Sequence, residues 1–157
     1  MPGAPVYESA VRWEPIRPDT TIIMCVDGRW RPHVQEFATA HLKVEGHYDI
    51  LAVPGGIEPL TLFDLVPKDF SFLRRRLESL VTAHSTERIV AVAHQDCAWY
   101  RMKKVGPIKL DLRERQASDL RRAARWLRET FPEARVETYY ARLSPELPAR
   151  VVFDAVL

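Results

Sequence analysis

The chain has 157 residues, 46% of them hydrophobic, which suits one globular domain with one buried core. Its 23 Lys and Arg against 21 Asp and Glu leave a formal charge of +2, too small to imply a polyanionic partner, so no nucleic acid is expected. Two cysteines, Cys25 and Cys97, are too few for the disulfide framework of a small secreted domain, and they raise the question of thiol chemistry or metal binding.

The first 15 residues, MPGAPVYESAVRWEP, lack the basic start and continuous apolar stretch of a signal peptide. No run approaches the length needed to cross a bilayer, so the expected location is the cytoplasm, with no membrane partner. Residues 1–19 carry several prolines and little periodicity and read as an arm, leaving 20–157 as the domain.

Thr20 to Val26 is short, apolar and rich in β-branched residues, as a strand covered on both faces should be. Pro32 then suits the start of a helix, with Val34, Phe37, Ala38 and Leu42 at helical spacing up to about Lys43. A second apolar run, Tyr48 to Val53, is stopped by Pro54-Gly55-Gly56. Residues 57–67 read as irregular or short-helical, and Phe70, Leu73, Leu77, Leu80 and Val81 form the next amphipathic stripe. The run Arg74 to Arg76 lies on its polar side and reads as a solvated face. A third strand, Arg88 to Ala93, runs straight into His94-Gln95-Asp96-Cys97. A basic helix over about 112–131, a strand near 135–141 and an apolar run over 151–157 complete the chain. Strands alternating with helices predict an α/β fold, a parallel sheet covered by helices.

Ligands of open α/β sheets collect outside the carboxyl ends of the strands. Cys25 ends the first strand, with Asp27 and Arg29 just beyond, and His94 and Cys97 leave the same end of the third, so neighbouring strands would bring the groups together. Two thiolates and an imidazole suit zinc, and three protein ligands leave a fourth tetrahedral position open, as catalytic sites do. Asp27 could accept a proton from water at that position, and Arg29, two residues on and facing the same side, would keep the carboxylate ionised and aimed. Cys97 at the start of a short helix would have its thiolate favoured by backbone N–H groups. A lone buried cysteine is usually core and a lone histidine usually a local hydrogen-bonding group. Here both cysteines of the chain sit at strand ends beside further polar groups, and that coincidence favours a metal site.

Cys25-Val26-Asp27-Gly28-Arg29 and His94-Gln95-Asp96-Cys97 resemble the paired signatures of the β-class carbonic anhydrases, in family order, and the likeness spans about residues 20–155. The resemblance implies a single-domain Rossmann-like, mostly parallel sheet flanked by helices, with VVFDAV as its late edge strand. It implies zinc on Cys25, His94 and Cys97, with Asp27 and Arg29 as the orienting dyad. The activity implied is reversible hydration of carbon dioxide to bicarbonate by zinc-bound hydroxide, in a homodimer or dimer of dimers. The chain departs from the family in several respects: Val53-Pro54-Gly55-Gly56 stands where Arg-Asn-Ala-Gly is common, Ala98 stands where glycine is usual, the arm is too short for the swapped helices of larger members, and the family's occasional active-site glutamine has no counterpart. Hydrolysis of carbonyl sulfide or carbon disulfide, a non-catalytic zinc-binding module, and a metal-free Cys25–Cys97 redox pair therefore stand as alternatives. Phe63, Phe72, Trp99 and Tyr100 are the aromatic candidates for an apolar substrate pocket.

Overall fold

The computed structural model describes residues 3–44, 46–61, 67–102 and 111–157. Its regular elements are β1 (Thr20–Cys25), α1 (Arg31–Ala40), β2 (Asp49–Val53), a 3₁₀ turn (Glu58–Thr61), α2 (Pro67–His84), β3 (Arg88–His94), α3 (Ala98–Met102), α4 (Leu112–Thr130), β4 (Arg135–Leu143) and β5 (Val151–Ala155). Residues 3–18 are mostly exposed and form neither helix nor strand.

One sheet carries the fold, in the order β2-β1-β3-β4-β5. The first four strands are parallel, and β5 closes the edge antiparallel to β4. All six residues of β1 are buried, as expected of a central strand. β2 alternates between half-buried and exposed because it is the sheet's other edge.

Side chains of a strand alternate between faces, and here they feed two different cores. Ile23 of β1 and Ile89, Ala91 and Ala93 of β3 pack with Leu73 and Leu77 of α2 and Leu120, Ala123 and Leu127 of α4. Ile22 and Met24 of β1 and Val90 and Val92 of β3 pack on the other face with Val34 and Ala38 of α1. The leucines and isoleucines of these clusters are almost fully buried, each contributing about 1.5–3 kcal/mol relative to exposure. The sheet is thus covered by helices on both sides, a single α/β domain. Among the described residues no helix is long and apolar enough to cross a membrane.

For the site, the decisive relation is that β1 and β3 are hydrogen-bonded neighbours although residues 26–87, 62 in all, lie between them; their register pairs Met24 with Val92. Their carboxyl ends, and the residues that leave them, therefore lie side by side.

Candidate metal centre

Cys25 is the last residue of β1, and Val26 still donates its backbone N–H to Val53 O of β2 at 3.3 Å, so the sulfur is held on the sheet's own frame. His94 is the last residue of β3 and is likewise pinned: its carbonyl accepts from Gln116 Nε2 of α4 at 3.0 Å. The next residue, Gln95, donates its backbone N–H to Ala141 O at 2.8 Å. Asp96 then adopts φ +62°, the left-handed region that aspartate tolerates better than most side chains, and the chain turns back there. Asp96 also pairs with Arg101 at 2.8 Å. The turn delivers Cys97 immediately before α3, where the N–H groups of Trp99 and Tyr100 donate to its sulfur.

The two sulfurs lie 3.9 Å apart, and both thiols are free and buried. The ligand atoms of Cys25, His94 and Cys97 all lie within 4.8 Å of one another. Two zinc–sulfur bonds of about 2.3 Å at the tetrahedral angle would set sulfurs about 3.8 Å apart, so the spacing fits that ion. A disulfide would need about 2.05 Å, and the pair is not bonded.

His94 is oriented for the same task. Its Nδ1 stands 2.8 Å from Gln95 O, and since a carbonyl only accepts, Nδ1 carries the proton and Nε2 the lone pair. Nε2 is buried and without a hydrogen bond among the described residues. The imidazole lies against the Trp30 indole, ring centres 4.9 Å apart. A buried imidazole nitrogen left unsatisfied beside two sulfurs is what a metal ligand looks like before its ion is considered.

The Cys97 thiol holds its neighbour Cys25 down at about 4 against the cost of burial, helped by the His94 side chain and by the N–H groups of Asp27 and Gly55. The Cys25 thiolate and burial push Cys97 up instead. A dication would displace the Cys97 proton and favour both thiolates at once.

Asp27 and Arg29 face each other as their spacing predicts. Arg29 Nε and Nη2 donate to the carboxylate at 3.0 and 2.6 Å, and the Arg29 backbone N–H adds a bond at 3.1 Å. These bonds hold Asp27 down at about 2, so it is ionised at neutral pH. Its carboxylate is not one of the three convergent ligand groups.

Of the aromatic candidates, Trp99 and Tyr100 pack around the two cysteines together with Leu112. Phe72 does not: it is half-exposed on α2 under the Arg76 guanidinium, because it falls on the opposite side of the helix from Phe70 and Leu73. Phe63 lies outside the described residues. The Arg74–Arg76 run is a solvated face, with Arg74 paired to Glu78 at 2.7 Å. Sequence reading missed the supports behind the three convergent side chains, namely Trp30, Glu58, Gln116 and Asp119. Tyr100 donates to Asp119 at 2.9 Å, and Trp99 Nε1 to Glu58 at 3.2 Å. An acid inside the apolar stretch GGIEPLT was the available signal for Glu58.

Solved structures share this architecture. A carbonic anhydrase from Glaciozyma antarctica superposes with a TM-score of 0.52 at 15% identity, covering 82% of this chain and 79% of its own. A tetrameric β-carbonic anhydrase from Sordaria macrospora gives 0.55 at 13%, over 81% and 77%. A β-carbonic anhydrase from Trichomonas vaginalis gives 0.54 at 16%, over 92% and 87%. No curated protein matches the sequence. Residues 17–147 match the family model described as "Putative carbonic anhydrase", and on that match the chain belongs to the carbonic anhydrase family, carried on the β-class fold.

Proposed function

We propose that the protein is a zinc lyase that hydrates carbon dioxide reversibly to bicarbonate, with Cys25, His94 and Cys97 as the metal ligands. The observation that carries this reading is the convergence of the three ligand atoms within 4.8 Å, with His94 Nε2 buried and unsatisfied. A zinc ion there would supply a Lewis acid that makes water a nucleophile near neutral pH.

The chain's own residues do the rest. Gln95 O fixes the His94 tautomer, and Trp30 holds the ring plane. N–H groups of Asp27, Gly55, Trp99 and Tyr100 spread the charge of the two sulfurs, which keeps the donor set from cancelling the ion's acidity in full. Asp27, kept ionised by Arg29, accepts a hydrogen bond from the attacking water and sets its direction. Arg29 acts through Asp27, as the partner that keeps the carboxylate aimed.

Reduced thiols at ligand spacing fit a reducing compartment, and we place the protein in the cytoplasm. A homodimer or dimer of dimers is supported by the exposed apolar side chains Val6, Tyr7, Val11 and Trp13 of the arm.

The deciding experiment is metal analysis coupled to stopped-flow carbon dioxide hydration on one preparation, expected to give about one zinc per chain and hydration that rises with pH. Bound zinc without hydration would put hydrolysis of carbonyl sulfide or carbon disulfide, or a non-catalytic module, in its place. Absence of zinc from protein refolded with the ion would reject the centre itself.

A further inference from the structure

The turn after β2 is wedged between the two halves of the centre. Gly55 holds φ at +76°, and a Cβ built there would meet Cδ1 of Trp99 at 2.2 Å, so the indole packs on bare backbone. Gly56 holds φ at +59°, and its Cβ would meet the Cys25 backbone nitrogen at 3.0 Å, which presses the turn against β1 on its other side. From this position the Gly55 N–H donates to the Cys25 sulfur, while the Trp99 N–H donates to that of Cys97.

Glu58 closes the circle. It opens the 3₁₀ turn three residues after Gly55, donates its N–H to Gly55 O at 3.3 Å, and accepts the Trp99 indole N–H on Oε2 at 3.2 Å. Its side chain is almost fully buried, an unfavourable place for a carboxylate unless its bonds serve a purpose that an apolar residue of similar size could not. Gly55, Glu58, Trp99 and the two cysteines thus form one connected ring, running from sulfur to sulfur through the turn.

We propose that Trp99 and Glu58 are positioning residues of the metal centre: the indole-to-carboxylate hydrogen bond latches the Gly55 turn so that its N–H stays aimed at the Cys25 sulfur. The latch rests on the reading of Cys25, His94 and Cys97 as ligands. An N–H aimed at a thiolate lowers the energy of its lone pairs, so loss of that aim leaves a more electron-rich sulfur. It also frees the turn to move away from β1, which loosens the spacing to which an ion binds.

Trp99→Phe keeps an aromatic ring beside Gly55 while removing the indole donor together with the second ring. In the cobalt-loaded variant the sulfur-to-cobalt charge-transfer band is expected at longer wavelength than in the cobalt-loaded parent. Zinc affinity, measured by competition with a chromophoric chelator, is expected to fall by about ten-fold. Glu58→Gln keeps an acceptor without its charge and is expected to move the band less, in the same direction; it carries the test should Trp99→Phe fail to fold. A band that stays in place in the folded variants, whether or not affinity or the unfolding temperature falls, overturns the latch and leaves the ligands standing. A parent that binds neither ion overturns the ligand reading and the latch with it.

Discussion

Arg29 grips Asp27 through its fork, with Nε at 3.0 Å and Nη2 at 2.6 Å from the two carboxylate oxygens. A carboxylate held in this way has a fixed direction as well as a fixed charge. Asp27→Asn replaces one acceptor oxygen by a donor and removes the charge that Arg29 engages. The variant is expected to keep about one zinc per chain while hydration slows at least about ten-fold, as when a group that orients a metal ligand is lost. Stopped-flow rates on metal-analysed samples check it; an Asn variant as fast as the parent across the pH range would remove Asp27 from the mechanism.

The three ligand positions should behave alike. Structural zinc binding of about 10–16 kcal/mol over four ligands implies about 3 kcal/mol for each, or about a hundred-fold in affinity. Cys25→Ser, His94→Ala and Cys97→Ser are therefore each expected to lose most zinc against a chelator. Two variants that keep parental affinity would show that the convergent atoms are not the donor set.

The arm offers a separate test. Val6, Tyr7, Val11 and Trp13 are exposed, and Glu14 reaches the body through His47 at 3.6 Å. Deleting residues 1–15 is expected to weaken dimer association by about ten-fold or more, read by light scattering across a dilution series. Unchanged association would place the interface elsewhere, and a monomeric parent at micromolar concentration would refute the dimer.

Asp154 on β5 accepts from Arg142 of β4 at 2.6 Å and from Arg113 of α4 at 3.1 Å. The Arg142 hydrogen bond holds it below the ordinary 3.8 of an aspartate. Its pKa is thus lower folded than unfolded, so its contribution to stability is present above 3.8 and is lost as pH falls through the folded value. Asp154→Asn should unfold at lower urea than the parent at neutral pH, with the gap closing as pH falls through the lowered folded value. A gap that stays constant into acid would mean that the ion pair is not its source.

The convergence of Cys25, His94 and Cys97 could be read from the sequence because β1 and β3 are buried runs that end abruptly in polar residues, and strand ends are where α/β sheets gather ligands. The Asp27–Arg29 pair was legible for a local reason, since two residues are close enough to meet whatever the rest of the chain does. What could not be read is long-range: that Gln116 would reach His94 from α4, or that Trp99 would lie on Gly55. Those contacts follow from how helices settle on the sheet, and no spacing in the sequence encodes it. The left-handed Asp96 was hidden for the opposite reason, because one residue's φ leaves no periodic mark.

The neighbouring of β1 and β3 has a consequence for the unfolded chain. Cys25 and Cys97 are 72 positions apart, and α1, β2 and α2 all lie between them. An ion held by both would act on the denatured ensemble as a cross-link does, and closing a loop of that length removes about 4 kcal/mol of chain entropy in the simple polymer treatment. Metal should then raise the free energy of unfolding by more than its own contacts supply, to the benefit of helices that lie between the two cysteines in the chain, and a chelator should remove that increment.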